Sequence, residues 1–184
     1  TVPGAVVVDP FAGSGTLGDV VDVLPYFSDR KYKLYDIDPI DPRVTRHDTV
    51  KMGIPEPSGS VDYVFLDPPS EFYSAQTADG VEQDRSVAMA DFLLKFKGLI
   101  RESHRVLKPG AKVSIIVEPG FTSKGYLDFP FELTKLCAEA NLRAIGKTYL
   151  PRRSAGGPRK IVSAEVRKQL ASDCREMLTF KKAE

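Results

Sequence analysis

Residues 5–9 form an uninterrupted apolar run that ends on a carboxylate, Asp9, and then breaks into a glycine-rich turn. That turn, Gly13-Ser14-Gly15-Thr16-Leu17-Gly18, opens a segment whose apolar spacing predicts a helix from residue 16 to about residue 24. A buried strand that passes to a helix through glycines commits a chain to alternating strands and helices. The pattern recurs downstream. Residues 33–36 read as a short strand ending on Asp36, and residues 61–66 as an apolar one ending beside Asp67. Met89, Phe92, Leu93, Phe96, Leu99, Ile100 and Val106 keep helical spacing, which predicts a long amphipathic helix over 87–107, ended by Lys108-Pro109-Gly110. A strand over 112–117, a helix over 132–140, a strand over 142–149 and a short final strand over 177–180 complete the series. Strands separated by helices predict a doubly wound, Rossmann-like α/β sheet, mostly parallel and covered on both faces. In such sheets ligands sit outside the carboxyl ends of the strands, where Asp9, Asp36 and Asp67 all fall.

A chain of 184 residues suits one domain, 1–184. Its 42% hydrophobic and 28% charged residues are ordinary for a soluble globular protein, and no apolar run is long enough to span a membrane. No signal peptide precedes the first strand, so the expected location is cytoplasmic. The sequence starts at Thr1, so either an initiator Met is removed or an N-terminal segment is missing. Cys137 and Cys174 share no metal-like spacing with each other or with His47 and His104, so no metal site is expected. Charge is uneven. Residues 147–184 carry ten basic and four acidic side chains, and the other 146 carry 16 basic and 21 acidic. A basic tail on an acidic body suits a protein that meets a polyanion on one side.

The glycine turn has two readings. In a dinucleotide enzyme it would cradle pyrophosphate, with an acid about 20 residues on to hold the ribose; Asp36 lies 18 residues after Gly18. The preceding Asp9 argues against that reading, because a carboxylate at the mouth of the turn repels pyrophosphate and suits a cationic ligand. Val8-Asp9-Pro10-Phe11-Ala12-Gly13-Ser14-Gly15-Thr16 resembles the cofactor motif of the amino-methylating DNA methyltransferases, which make N6-methyladenine or N4-methylcytosine. The resemblance implies a class I methyltransferase fold of about seven strands, the last antiparallel, with S-adenosyl-L-methionine as cofactor. It implies cofactor contacts along residues 9–16, ribose binding by Asp36, adenine packing on Ile37 and an amino-group acceptor at Asp48. Asp38 is the alternative to Asp36 if the strand ends two residues later.

Asp67-Pro68-Pro69-Ser70 is the second motif. An exocyclic amino group is a poor nucleophile because its lone pair is delocalised into the ring. Hydrogen bonds accepted from it by the Asp67 side chain and the Pro68 carbonyl would build the lone pair toward the incoming methyl, while the two prolines stiffen the backbone that converges them. The resembled family usually has an aromatic residue at the fourth position, where it stacks on a flipped base. Here that position is Ser70, and Phe72 or Tyr73 could supply a ring only if the loop shifts.

Arg152, Arg153, Arg159 and Lys160 lie in a glycine- and proline-rich basic loop over 151–160, suited to phosphates. The polar segment 74–86 reads as a lid, a recognition loop or a plain connector. The expected function is therefore methylation of an exocyclic amino group of adenine or cytosine in DNA. The alternatives are an RNA base amino-methyltransferase and a catalytically silent binding module. Nucleic acid is the expected partner, with a second protein conceivable as the source of specificity.

Overall fold

The computed structural model describes residues 2–69, 72, 84–122, 125–151 and 174–184. Seven strands form one sheet: β1 (Val6–Asp9), β2 (Lys31–Asp36), β3 (Thr45–Arg46), β4 (Val61–Leu66), β5 (Leu107–Val117), β8 (Leu142–Pro151) and β9 (Cys174–Lys182). Their order is β3-β2-β1-β4-β5-β9-β8. Neighbours are parallel except at β9, which runs antiparallel to both β5 and β8. The expected mostly parallel sheet with a reversed last strand is thus observed. A separate hairpin of β6 (Gly120–Thr122) and β7 (Gly125–Leu127) follows β5.

Four helices connect the strands: α1 (Thr16–Val23), α2 (Thr49–Met52), α3 (Arg85–Val106) and α4 (Phe129–Glu139). The last three begin on aspartates, Asp48, Asp84 and Asp128, each accepting a hydrogen bond from a first-turn backbone N–H. Phe92, Phe96 and Ile100 of α3 join Phe129, Leu133 and Cys137 of α4 and Val64, Leu66, Ile115 and Phe180 of the sheet in one core. The Phe92 and Phe129 rings stack with centroids 4.5 Å apart. Leu34 belongs to a second small cluster with Ala12 and Val44, against which Leu17 of α1 packs. Leu34 and its neighbour Tyr35 serve different clusters, so α1 and α3 cover opposite faces of the sheet.

The long helix ends at Val106, and Lys108-Pro109-Gly110 does something other than stop it. Leu107 already pairs with Val61, and pairing resumes at Lys112 opposite Tyr63. The intervening residues form a bulge in which Gly110 takes φ 72°. The final strand is also longer than its apolar centre suggests. Pairing on both sides, with β5 and β8, carries it through the polar residues at each end. Among the described residues no helix is long and apolar enough to cross a membrane, and no cluster of His, Cys, Asp and Glu could hold a metal ion.

Candidate functional site

Parallel pairing of β2, β1 and β4 brings three aspartates to one edge of the sheet. Asp9 ends β1, Asp36 ends β2, and Asp67 follows β4 directly. A cavity of about 600 Å³ opens outside that edge, within the size range of cofactor pockets. Pro10, Phe11 and Gly13 form one wall, Asp36, Ile37 and Asp48 another, and Asp67, Pro69 and Phe72 a third.

The turn is shaped by Asp36. Its Oδ2 accepts from the Gly13 N–H at 2.8 Å and its Oδ1 from the Asp38 N–H at 2.8 Å. One carboxylate therefore ties the glycine turn to the loop after β2 and still faces the cavity. Gly15 has φ 78°, a backbone conformation that favours glycine, and a Cβ there would lie a tight 3.0 Å from Asp41 Oδ2. Ser14 and Thr16 hydrogen-bond to each other at 3.2 Å, and neither they nor Ala12 and Gly15 line the cavity. Because β2 ends at Asp36, Asp38 lies beyond it, exposed and paired with Arg46 at 3.0 Å.

Asp9 is 5% exposed and does not line the cavity; its Oδ1 accepts from the Phe11 N–H at 3.0 Å. Burial above all raises its pKa from 3.8 to about 7, and the charges of Asp67 and Asp36 push it further up. The folded protein keeps this proton up to about pH 7, whereas the unfolded chain releases it near 3.8. Stability is therefore lost as pH rises through that window. Thermal denaturation should show the midpoint falling between about pH 4 and about pH 7, and Asp9→Asn should remove most of that slope. An unchanged slope would show that another group carries it.

Asp48 caps α2, its Oδ1 accepting from the Lys51 N–H at 3.1 Å and its Oδ2 lying 3.5 Å from Lys51 Nζ. Ile37 is 60% exposed and Val50 46%, so both present apolar surface on the cavity wall. Thr49, 4% exposed, leaves its hydroxyl oxygen buried without a hydrogen-bond partner among the described residues. The ring of Phe72 packs edge-on to Phe11 at 5.4 Å and Phe96 at 6.0 Å, with Lys95 Nζ 5.7 Å from its centroid. Pro68 is buried and Pro69 exposed. Asp67 receives a hydrogen bond at 2.9 Å from Nη2 of Arg175, 108 residues away.

The structure thus gathers Pro10, Phe11, Gly13, Asp36, Ile37, Asp48, Asp67, Pro69 and Phe72 around one cavity. Ser70, Tyr73, residues 74–83 and the basic residues Arg152, Arg153, Arg159 and Lys160 lie outside the described residues. His47, Thr49, Val50, Lys51 and Lys95 also line the cavity, and sequence reasoning did not assign them. The two-residue β3 and four-residue α2 that deliver the first four are too short to leave a periodic signal.

No family model matches this sequence, and no curated protein matches it. Solved structures do. A SAM-dependent methyltransferase from Methanosarcina mazei is similar at TM-score 0.59 and 11% identity, over 100% of this chain and 94% of its own. The fold is that of a class I methyltransferase. The 1,6-didemethyltoxoflavin-N1-methyltransferase of Burkholderia thailandensis, solved with S-adenosylhomocysteine, gives TM-score 0.55 at 14% identity over 99% of this chain and 72% of its own. A proposed DNA modification methylase from Thermus thermophilus gives 0.52 at 16% identity over 75% of this chain. The match covers 52% of that protein, so the chain spans about half its length. A methyltransferase fold at these identities fixes the architecture and leaves the substrate to the site's own chemistry.

Proposed function

We propose that this protein is an adenosylmethionine-dependent methyltransferase acting on an exocyclic amino group of adenine or cytosine in DNA. The observation that carries the reading is Asp67, a carboxylate fixed at the end of β4, backed by two prolines and sharing a cavity with Asp36 and the glycine turn.

The residues present fit the cofactor. Asp36 and Asp67 on the cavity wall suit a ligand carrying a sulfonium and an ammonium. Asp36 keeps acceptor capacity for ribose hydroxyls after binding two backbone N–H groups, since each carboxylate oxygen can accept more than once. Ile37 and Val50 offer exposed apolar surface for an adenine ring, and the Thr49 hydroxyl beside it is a buried polar group without a partner among the described residues. When bound, adenosylmethionine supplies a methyl that leaves sulfur as the amino nitrogen bonds to it, giving a neutral thioether while the amine gives up one proton to solvent. Asp67 accepts a hydrogen bond from the amino group, and Phe11 and Phe72 exclude water on the side nearest the core. Positioning does most of the work.

The reading is tested by incubating the protein and cofactor with duplex DNA, single-stranded DNA or RNA, digesting to nucleosides and separating them by mass spectrometry. N6-methyladenine or N4-methylcytosine from DNA supports it. Methylated bases from RNA alone would move the substrate class, and methylation of ring carbon or ribose would refute the amino-group assignment.

A further inference from the structure

Antiparallel β9 enters the sheet at the carboxyl edge of β4 and β5, so its first residues arrive where Asp67 stands. Glu176 is in register with Val117 at the end of β5, and Arg175 with Leu150 on β8. Successive strand residues face opposite ways, and these two neighbours take different partners. Glu176 is held by Lys147 at 2.7 Å, whereas Arg175 reaches past the end of β5 to Asp67 Oδ2 at 2.9 Å. Among the described residues Asp67 makes no other hydrogen bond.

An aspartate side chain left alone turns broadly about its last torsion, which is nearly two-fold, so its two oxygens exchange roles. A guanidinium donating to one oxygen biases that exchange, because the carboxylate favours the orientation that keeps an oxygen on the donor. It also sets a fixed positive charge beside a carboxylate that has Asp9 and Asp36 as acidic neighbours; Asp9 senses both of the others. Arginine stays protonated throughout and takes no part in proton transfer.

We propose that Arg175 is a positioning residue for amino-group methylation. By holding Oδ2 it leaves Oδ1 as the acceptor presented to the target amino group, so the acceptor is oriented before substrate arrives. This rests on the reading of Asp67 as that acceptor. The residue acts through Asp67 rather than on cofactor or nucleic acid, so its loss slows turnover and spares binding.

The test is steady-state kinetics of Arg175→Met and Arg175→Lys beside wild type, with cofactor affinity measured separately. Arg175→Met should lose about ten- to a hundredfold in kcat with KM for DNA and cofactor affinity largely unchanged, the scale of a misplaced reacting group. Arg175→Lys, which keeps the charge without the planar fork, should recover part of that loss. A wild-type kcat in Arg175→Met, or a change confined to KM, overturns the proposal while leaving Asp67 in its role. A wild-type protein that methylates no nucleic acid refutes the reading of Asp67, and the proposal with it. Should Arg175→Met fail to fold, Arg175→Gln, with a similar stem and one neutral donor group, is read by the same criteria.

Discussion

Asp67→Ala should lower methyl transfer to nucleic acid by about a hundred- to a thousandfold, the range seen when a single preorganised electrostatic group is removed from an active site. Affinity for adenosylmethionine stays close to wild type. Asp67 follows β4 at the cavity wall, its side chain is 33% exposed, and no core residue packs through it. Truncation therefore removes an acceptor without opening a hydrophobic void. It leaves Arg175 without its partner, but that guanidinium is 29% exposed and water can solvate it, so the stability cost is about 0–1 kcal/mol. Steady-state kinetics beside a thermal melt separates the two effects. Undiminished transfer in a folded Asp67→Ala protein would remove Asp67 from the chemistry.

Asp36→Ala has the second large effect, and it falls on binding. The carboxylate holds the Gly13 and Asp38 N–H groups and lines the cavity, where the proposed function gives it the ribose hydroxyls. Its removal leaves two backbone donors without acceptors and releases the turn from the loop after β2. The loosened turn no longer presents its backbone to the ligand in a fixed geometry, and a charge-assisted contact to the ligand is lost as well. Together these predict a weakening of cofactor affinity by about a hundredfold or more in calorimetric titration. Asp38→Ala is the control. That side chain is 86% exposed and paired only at the surface with Arg46, so its loss leaves affinity unchanged. Equal losses in both variants would mean that loop distortion, not the Asp36 contact, is being measured.

The parts of the fold legible in the sequence are those that bury a continuous apolar face. Val6–Asp9, Val61–Leu66 and the core of β5 are buried strands, and read as such because nearly every residue is apolar. The long α3 shows itself through seven apolar positions at helical spacing, though its observed bounds are Arg85–Val106. What stays hidden is short or made by pairing. Thr45–Arg46 is exposed and has no apolar residue, so only β2 beside it makes it a strand. The bulge at Lys108–Gly110 exists because Leu107 already pairs with Val61, a constraint from residues far away in the chain.

The candidate site divides in the same way. The Asp9–Thr16 and Asp67–Pro69 segments carry local signatures, since glycine and proline shape backbone wherever they occur. Asp9 illustrates a limit of such reading. The motif gives its position, whereas its burial and the bond its carboxylate accepts from the Phe11 N–H appear only in the folded chain. Lys95 and Arg175 leave no signal at all. One lies among the polar residues of a long helix and the other before an apolar stretch, and only folding brings them beside Phe72 and Asp67.

The most direct test of the account is transfer of labelled methyl from adenosylmethionine to duplex DNA, single-stranded DNA and RNA in parallel, with Asp67→Ala in the same series. Label in base amino groups of DNA is expected with the wild-type protein, with near-complete loss in the variant. Equal label in wild type and Asp67→Ala, or no transfer to any nucleic acid by a wild-type protein that binds the cofactor, would contradict it.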